Sequence, residues 1–121
     1  MGKHILIIDD SASIRQVVKI NLSAAGYSIS EAVDGKDALT KIEAQKPDLI
    51  ISDINMPNMD GLTFVRKVKE NPEFKFIPII MLTTESQEEK KMEGMSIGVK
   101  AWLVKPFKPD QLMTAISRLL V

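Results

Sequence analysis

The sequence has no cysteine in its 121 residues. That excludes disulfides, thiolate catalysis and cysteine-held metals. Histidine is nearly as scarce: His4 is the only one, too few for a histidine zinc site or a catalytic triad, and it reads as a strand-start residue. Charge of one sign is also missing. Sixteen basic and sixteen acidic residues cancel, so no broad field for nucleic acid or an anionic membrane is expected. No apolar run approaches the ~20 residues of a membrane span. Ile5-Leu6-Ile7-Ile8 is cut at once by Asp9-Asp10, unlike the apolar region of a signal peptide. A cytoplasmic location is expected. There is no linker, repeat or low-complexity segment, and the length suits one domain over 1–121 with no output domain.

What is present is an alternation. His4-Ile5-Leu6-Ile7-Ile8 is a continuous apolar run of the kind buried on both faces of a parallel sheet. A helix follows, opened by Ser11 or Ser13, with Ile14, Val17, Val18, Leu22 and Ala25 on one stripe and Gly26 just past its end. Tyr27 to Ala32 is more polar and partly alternating, which suits an edge strand. Asp34 caps a second helix whose inner face is Ala38, Leu39 and Ile42. Leu49 to Ser52 is the third strand. Leu62, Phe64, Val65 and Val68 mark a third helix, stopped by Asn71-Pro72. Ile77 to Leu82 is the fourth strand, with Pro78 near its start. Ser86-Gln87-Glu88-Glu89 is a capping-box pattern. The helix after it is weak: Met92 and Met95 are its main apolar residues, and Gly94 and Gly98 lower its propensity. Lys100 to Val104 is the fifth strand. Pro109 opens the last helix, which turns Leu112, Ile116, Leu119 and Leu120 inward. Right-handed crossovers make this (βα)₅ pattern a doubly wound parallel α/β sheet with helices on both faces.

Ligands in such sheets sit beyond the carboxyl ends of the strands. Four strands end there in polar residues: Asp9 and Asp10, Asp53, Thr83 and Lys105. Each has an ordinary reading when taken alone. Asp9 or Asp10 caps a helix, Thr83 is a turn residue, Lys105 is solvated, and Asp53 is a loop acid or a nucleophile. Together they bring three carboxylates, a hydroxyl and an ammonium to one edge. Two unit charges ~4 Å apart at an effective dielectric of ~20 interact by about 4 kcal/mol. Three clustered carboxylates therefore raise their pKa values or take a cation. With oxygen donors only, Mg²⁺ is the natural choice. The set suits phosphoryl transfer, with Asp53 attacking phosphorus and Mg²⁺ and Lys105 neutralising its oxygens.

On Asp9-Asp10, on Ser52-Asp53-Ile54-Asn55-Met56-Pro57-Asn58-Met59-Asp60-Gly61, on Thr83 and on Lys105-Pro106-Phe107, the chain resembles the receiver domains of two-component signalling. Along its whole length it is most similar to single-domain CheY-type chemotaxis response regulators. The resemblance implies a flavodoxin-like sheet of order 2-1-3-4-5. It implies that Asp53 accepts a phosphoryl group from a CheA-type sensor histidine kinase. Asp10, Asp53 and the Asn55 carbonyl would hold Mg²⁺, and Asp9 would act through metal-bound water. Lys105 would pair with the phosphoryl group across a cis bond to Pro106. Thr83 and Trp102 would be the switch residues that change the face of helix four, strand five and helix five. The chain would be a phosphoacceptor that assists its own phosphotransfer and dephosphorylation rather than an enzyme. Its partners would be the kinase, an output protein such as the flagellar motor switch, and a phosphatase. Neither nucleic acid nor membrane would take part, and the chain would be a monomer.

Two residues depart from the family's commoner pattern. Trp102 stands where Tyr or Phe is usual, and read alone it is an edge-strand aromatic. Thr84 stands where a small residue is usual and would narrow access to Asp53. Asn55 and Glu85 resemble the residues that tune water access, which pulls the other way on phosphoryl lifetime. Other readings share the chemistry, such as a phosphate sink, a phosphorelay shuttle or a regulator of a separate enzyme. A flavodoxin-like cofactor-binding protein would instead need a phosphate cradle after strand one, where Asp9-Asp10 is anionic. A small Asp-nucleophile phosphohydrolase would need a cap insertion, for which the length leaves no room.

Overall fold

The computed structural model describes residues 3–83 and 88–120, with backbone only at 88 and 89. Five strands alternate with five helices: β1 His4–Ile8, α1 Ala12–Ala24, β2 Ser28–Ala32, α2 Gly35–Ala44, β3 Leu49–Asp53, α3 Gly61–Glu70, β4 Ile79–Thr83, α4 Glu88–Ser96, β5 Ala101–Val104 and α5 Pro109–Leu119. All strand pairs are parallel, and the order is β2-β1-β3-β4-β5, as expected. The continuous apolar runs of β1, β3 and β4 are buried throughout because both sheet faces are covered. Side chains alternate between the faces. Ile5, Ile7, Leu49, Ile51, Ile80 and Leu82 pack with Val18 and Leu22 of α1 and with Leu112 and Ile116 of α5. Leu6, Ile8, Ile50, Ile79 and Met81 pack with α2 and α3 through Ala38, Ile42, Phe64, Val65 and Val68.

The helix signals act as read. Ser11 and Asp34 cap α1 and α2 by accepting from the amides of Ile14 and Asp37, and Asp60, not singled out in the sequence, does the same for α3 through the Thr63 amide. Gly26, at φ +94°, follows the α1 C-cap. Pro109 occupies the first turn of α5. The capping-box reading at 86–89 needs residues 86 and 87 and the side chain of Glu89, which lie outside what is described. β2 is a true edge, and Glu31 on it pairs with Arg15 and Lys19, charges that discourage pairing with another chain. His4 is a strand residue whose ring nitrogens lie 3.1 Å from Ser28 Oγ and 2.7 Å from Ser30 Oγ.

Several expectations change. β4 starts at Ile79, and Pro78 lies before it, using only its carbonyl, which accepts from Ile50 N–H. Val17 is not in the core of α1: it is 57 % exposed and its neighbour Ile20 is 60 % exposed. Ile14, Val18 and Leu22 suffice to cover the sheet. Val17 instead lines an apolar groove of about 440 Å³ between α1 and α5, shared with Ile14, Phe107 and Leu112 and opening beside Lys105. On α4, Met92 and Met95 face outward, at 75 % and 48 % exposed. Among the described side-chain positions of α4, the buried one is Gly94.

Candidate functional site

The site is mounted on strand ends. β1 stops at Ile8, so Asp9 and Asp10 begin the loop into α1, while β3 carries Asp53 as its last residue. Register places Ile8 beside Ser52 and Asp53 beside Leu82. Carboxylate oxygens of Asp9, Asp10 and Asp53 all come within 4.8 Å of one another. Lys105 follows β5 and crosses the edge, with Nζ 3.0 Å from Asp9 Oδ2 and 3.2 Å from Asp53 Oδ1. Its amide donates to the Thr83 carbonyl at 2.6 Å, and the Lys105–Pro106 bond is cis.

Burial sorts the acids. Asp9 is fully buried, Asp53 is 7 % exposed, and Asp10 is open to solvent. Asp9 Oδ1 accepts from Ser11 N–H at 2.9 Å, and its carbonyl accepts from the Arg15 guanidinium at 2.6 Å. Ile54 N–H donates to Asp53 Oδ1 at 3.0 Å. Burial and then the Asp9 charge push the Asp53 carboxyl above its ordinary pKa, against the pull of Lys105 and Ile54 N–H. Burial draws the Lys105 ammonium down, but the Asp9 hydrogen bond and the Asp53 and Asp9 charges outweigh it, so its pKa is raised. The edge is thus short of positive charge even with Lys105 in place.

A divalent cation meets that shortage. Mg²⁺ holds oxygens at ~2.1 Å, so opposite ligands sit roughly 4.2 Å apart. Three carboxylates with oxygens inside 4.8 Å, one of them solvent-facing, fit such an ion and leave positions for water and a phosphoryl oxygen. Asn55 lies in the exposed loop directly after β3.

Thr83 ends β4 and is buried, on the strand between β3, which carries Asp53, and β5, which leads into Lys105. Thr84 and Glu85 lie outside the described residues. Trp102 is half-buried on β5 and packs against the α2–α3–α4 side of the core. Its ring lies against Gly94, where a Cβ would come 2.5 Å from Trp102 Cζ3. The glycine that lowers the propensity of α4 is what lets the helix close over the larger indole. Arg66 of α3 pairs with Glu93 of α4.

Sequence reading missed the contacts of the β3–α3 loop. Asn58 adopts φ +68°, and its side-chain amide donates to Asp34 Oδ2 at 2.8 Å. Asn is the non-glycine residue most at ease in that region, so Asn58 within Pro57-Asn58-Met59-Asp60-Gly61 was the available signal.

A doubly wound sheet with three acids and a lysine at its carboxyl edge defines a receiver, and residues 5–117 match the response regulator receiver domain model. The chain belongs to that family, whose members act as phosphoacceptor regulators and bind Mg²⁺ at the acidic pocket. It is similar to the Vibrio cholerae chemotaxis response regulator CheY4, with 48% identity and a TM-score of 0.93 over 99% of this chain and 100% of that one. Chemotaxis protein CheY1 of Helicobacter pylori is 41% identical over 110 residues, 89% of each chain. Another relative is a transcriptional regulator, the phosphate regulon protein PhoB of Pseudomonas aeruginosa, 38% identical over 99% of this chain and 52% of its own length. The chain spans about half the length of the first such curated relatives. No helix among the described residues is long and apolar enough to cross a membrane.

Proposed function

We propose that the chain takes a phosphoryl group onto Asp53 from a CheA-type histidine kinase and passes the signal to a chemotaxis output such as the flagellar motor switch. The observation that carries the chemistry is the convergence of Asp9, Asp10 and Asp53 with Lys105 bridging two of them. The likeness to CheY4 and CheY1 along most of their lengths supports the chemotaxis output.

In this mechanism an Asp53 carboxylate oxygen attacks the phosphorus of a phosphohistidine. An O–P bond forms, the P–N bond breaks, and its electron pair returns to the imidazole nitrogen. Asp10, Asp53 and the Asn55 carbonyl would hold Mg²⁺, and Asp9 would act through water beside the ion. Bound there, Mg²⁺ would supply positive charge for the phosphoryl oxygens. Lys105 moves its ion pair from the carboxylates to a phosphoryl oxygen. Thr83 donates its hydroxyl to another. The product is a mixed anhydride, which water cleaves with the same groups in place. Thr84 and Glu85 set how readily that water enters.

Phosphorylation exchanges a carboxylate of charge −1 for a phosphoryl group of about −1.5 to −2, so the gain lies mostly in reach and number of acceptors, and Thr83 and Trp102 carry the change to the α4–β5–α5 face. Trp102 reaches α4 through Gly94, which supports a concerted response of ring and helix. Labelled phosphoryl transfer from a phosphohistidine to wild type but not to Asp53→Asn tests the acceptor. Capture of a motor-switch protein only in the phosphorylated state tests the output. Capture in neither state returns the output to a phosphate sink or relay shuttle.

A further inference from the structure

We propose that Asn58 and Asp34 form a clasp that positions the β3–α3 loop for the metal, an inference that rests on reading the acidic edge as a Mg²⁺ site. The three carboxylates stand at the ends of β1 and β3, which the sheet holds. A carbonyl donor from Asn55 has no such mount. It belongs to a loop over 54–60 turned near its tip by Met59 N–H, which donates to the Pro57 carbonyl at 2.7 Å, and closed at its base by Gly61 N–H, which donates to the Ile54 carbonyl at 2.8 Å. The close fit there admits no side chain, since a Cβ on Gly61 would come 2.5 Å from the Asp53 carbonyl oxygen.

The outer part of the loop is fastened elsewhere. Asp34 divides its two oxygens: Oδ1 caps α2 through Asp37 N–H at 2.8 Å, and Oδ2 accepts from Asn58 Nδ2 at 2.8 Å. The helix cap thereby fixes the oxygen that holds Asn58. The next residue, Met59, lies over Gly35, where a Cβ would meet Met59 Sδ at 2.8 Å and Cγ at 2.9 Å. A polar and an apolar contact thus seat the loop on the start of α2. Helix α3 does not need this seat. Its cap is Asp60, which accepts from Thr63 N–H at 2.8 Å. Asn58 is solvent-exposed and in the left-handed region, an uncommon conformation for a side chain at an open loop tip. The bonds to the Asp37 amide and the Asn58 amide also hold the Asp34 carboxyl below its ordinary pKa, so the acceptor stays ionised near neutral pH. What the clasp fixes is the path of the backbone from Asn55 to Pro57. Mg²⁺ tolerates little displacement of its ligands, so a loosened path lowers affinity.

The test is a calorimetric Mg²⁺ titration of the whole chain, with the thermal midpoint recorded on the same samples. Asn58→Gly keeps the left-handed backbone and removes the amide. Asp34→Ser keeps a capping oxygen and removes the one facing Asn58. Each is expected to weaken Mg²⁺ binding roughly tenfold, as loss of a ligand's supporting partner does. The double variant is expected to be no weaker than the worse single one. A purely structural contact would lower the midpoint and leave affinity unchanged. Wild-type affinity in Asn58→Gly, or full additivity of the two losses, overturns the clasp. Asp10→Asn separates the layers: if wild type binds no Mg²⁺, or Asp10→Asn binds as well as wild type, the metal reading itself fails.

Discussion

Gly94→Ala sets two effects of opposite sign against each other. In an ordinary helix interior, replacing glycine by alanine stabilises by up to about 1 kcal/mol. Helix α4 has little else to hold it, so a propensity argument favours the substitution. The structure argues the reverse. A Cβ at position 94 would come 2.5 Å from Trp102 Cζ3 and 3.4 Å from Leu62 Cδ2. The indole is rigid and half-buried against the core, so relief requires α4 or the ring to move. Overpacking of this kind costs about 1–3 kcal/mol. The expected net result is a loss of about 1 kcal/mol, or roughly 4 °C in midpoint for a chain of this size. Urea denaturation followed by far-ultraviolet circular dichroism measures it. Trp102→Phe lacks the Cζ3 and Cη2 atoms, so in that background Gly94→Ala should stabilise and recover the propensity gain. Stabilisation of the otherwise wild-type chain by the full ~1 kcal/mol would show that Trp102 does not occupy the space above Gly94.

Two further outcomes concern the acidic edge. The folded state raises the Asp53 pKa, so its ionised carboxylate costs stability above that raised value and costs nothing below about 3.8, where folded and unfolded forms are both protonated. Asp53→Asn is therefore expected to be more stable than wild type at neutral pH without Mg²⁺, with the gap closing as acid is added. A constant gap across that range in urea titrations would contradict the shift. Lys105→Met removes both ion pairs and leaves fully buried Asp9 with its amide bond from Ser11 as its remaining side-chain partner among the described residues. Breaking a largely buried pair costs several kcal/mol, here discounted to about 2 because Lys105 keeps some exposure. Millimolar Mg²⁺ should restore most of it in a thermal melt, and a loss that Mg²⁺ leaves untouched would argue against a cation at this edge.

The strands and the helix caps were legible because their signals are local. An unbroken apolar run, a serine or aspartate before a periodic stripe, and a proline at a first turn each act over a few residues. The convergence of Asp9, Asp53 and Lys105 was legible because parallel topology sends every strand's carboxyl end to the same edge. Tertiary fit was not legible. Val17 falls at helical spacing, yet the sheet is already covered by its neighbours, and Val17 turns to the α1–α5 groove. Gly94 reads as a weak point in a helix until Trp102 is seen beneath it. The Asn58–Asp34 bond joins residues 24 apart, and no periodicity announces it.

The central claim is that Asp53 accepts the phosphoryl group. Its most direct test incubates the chain with Mg²⁺ and a phosphohistidine donor, reduces the acyl phosphate with borohydride, and maps the resulting homoserine by mass spectrometry. Homoserine at position 53, lost in Asp53→Asn and when Mg²⁺ is chelated, is the predicted result. Homoserine at another acid, or phosphoryl retained by Asp53→Asn, would contradict it.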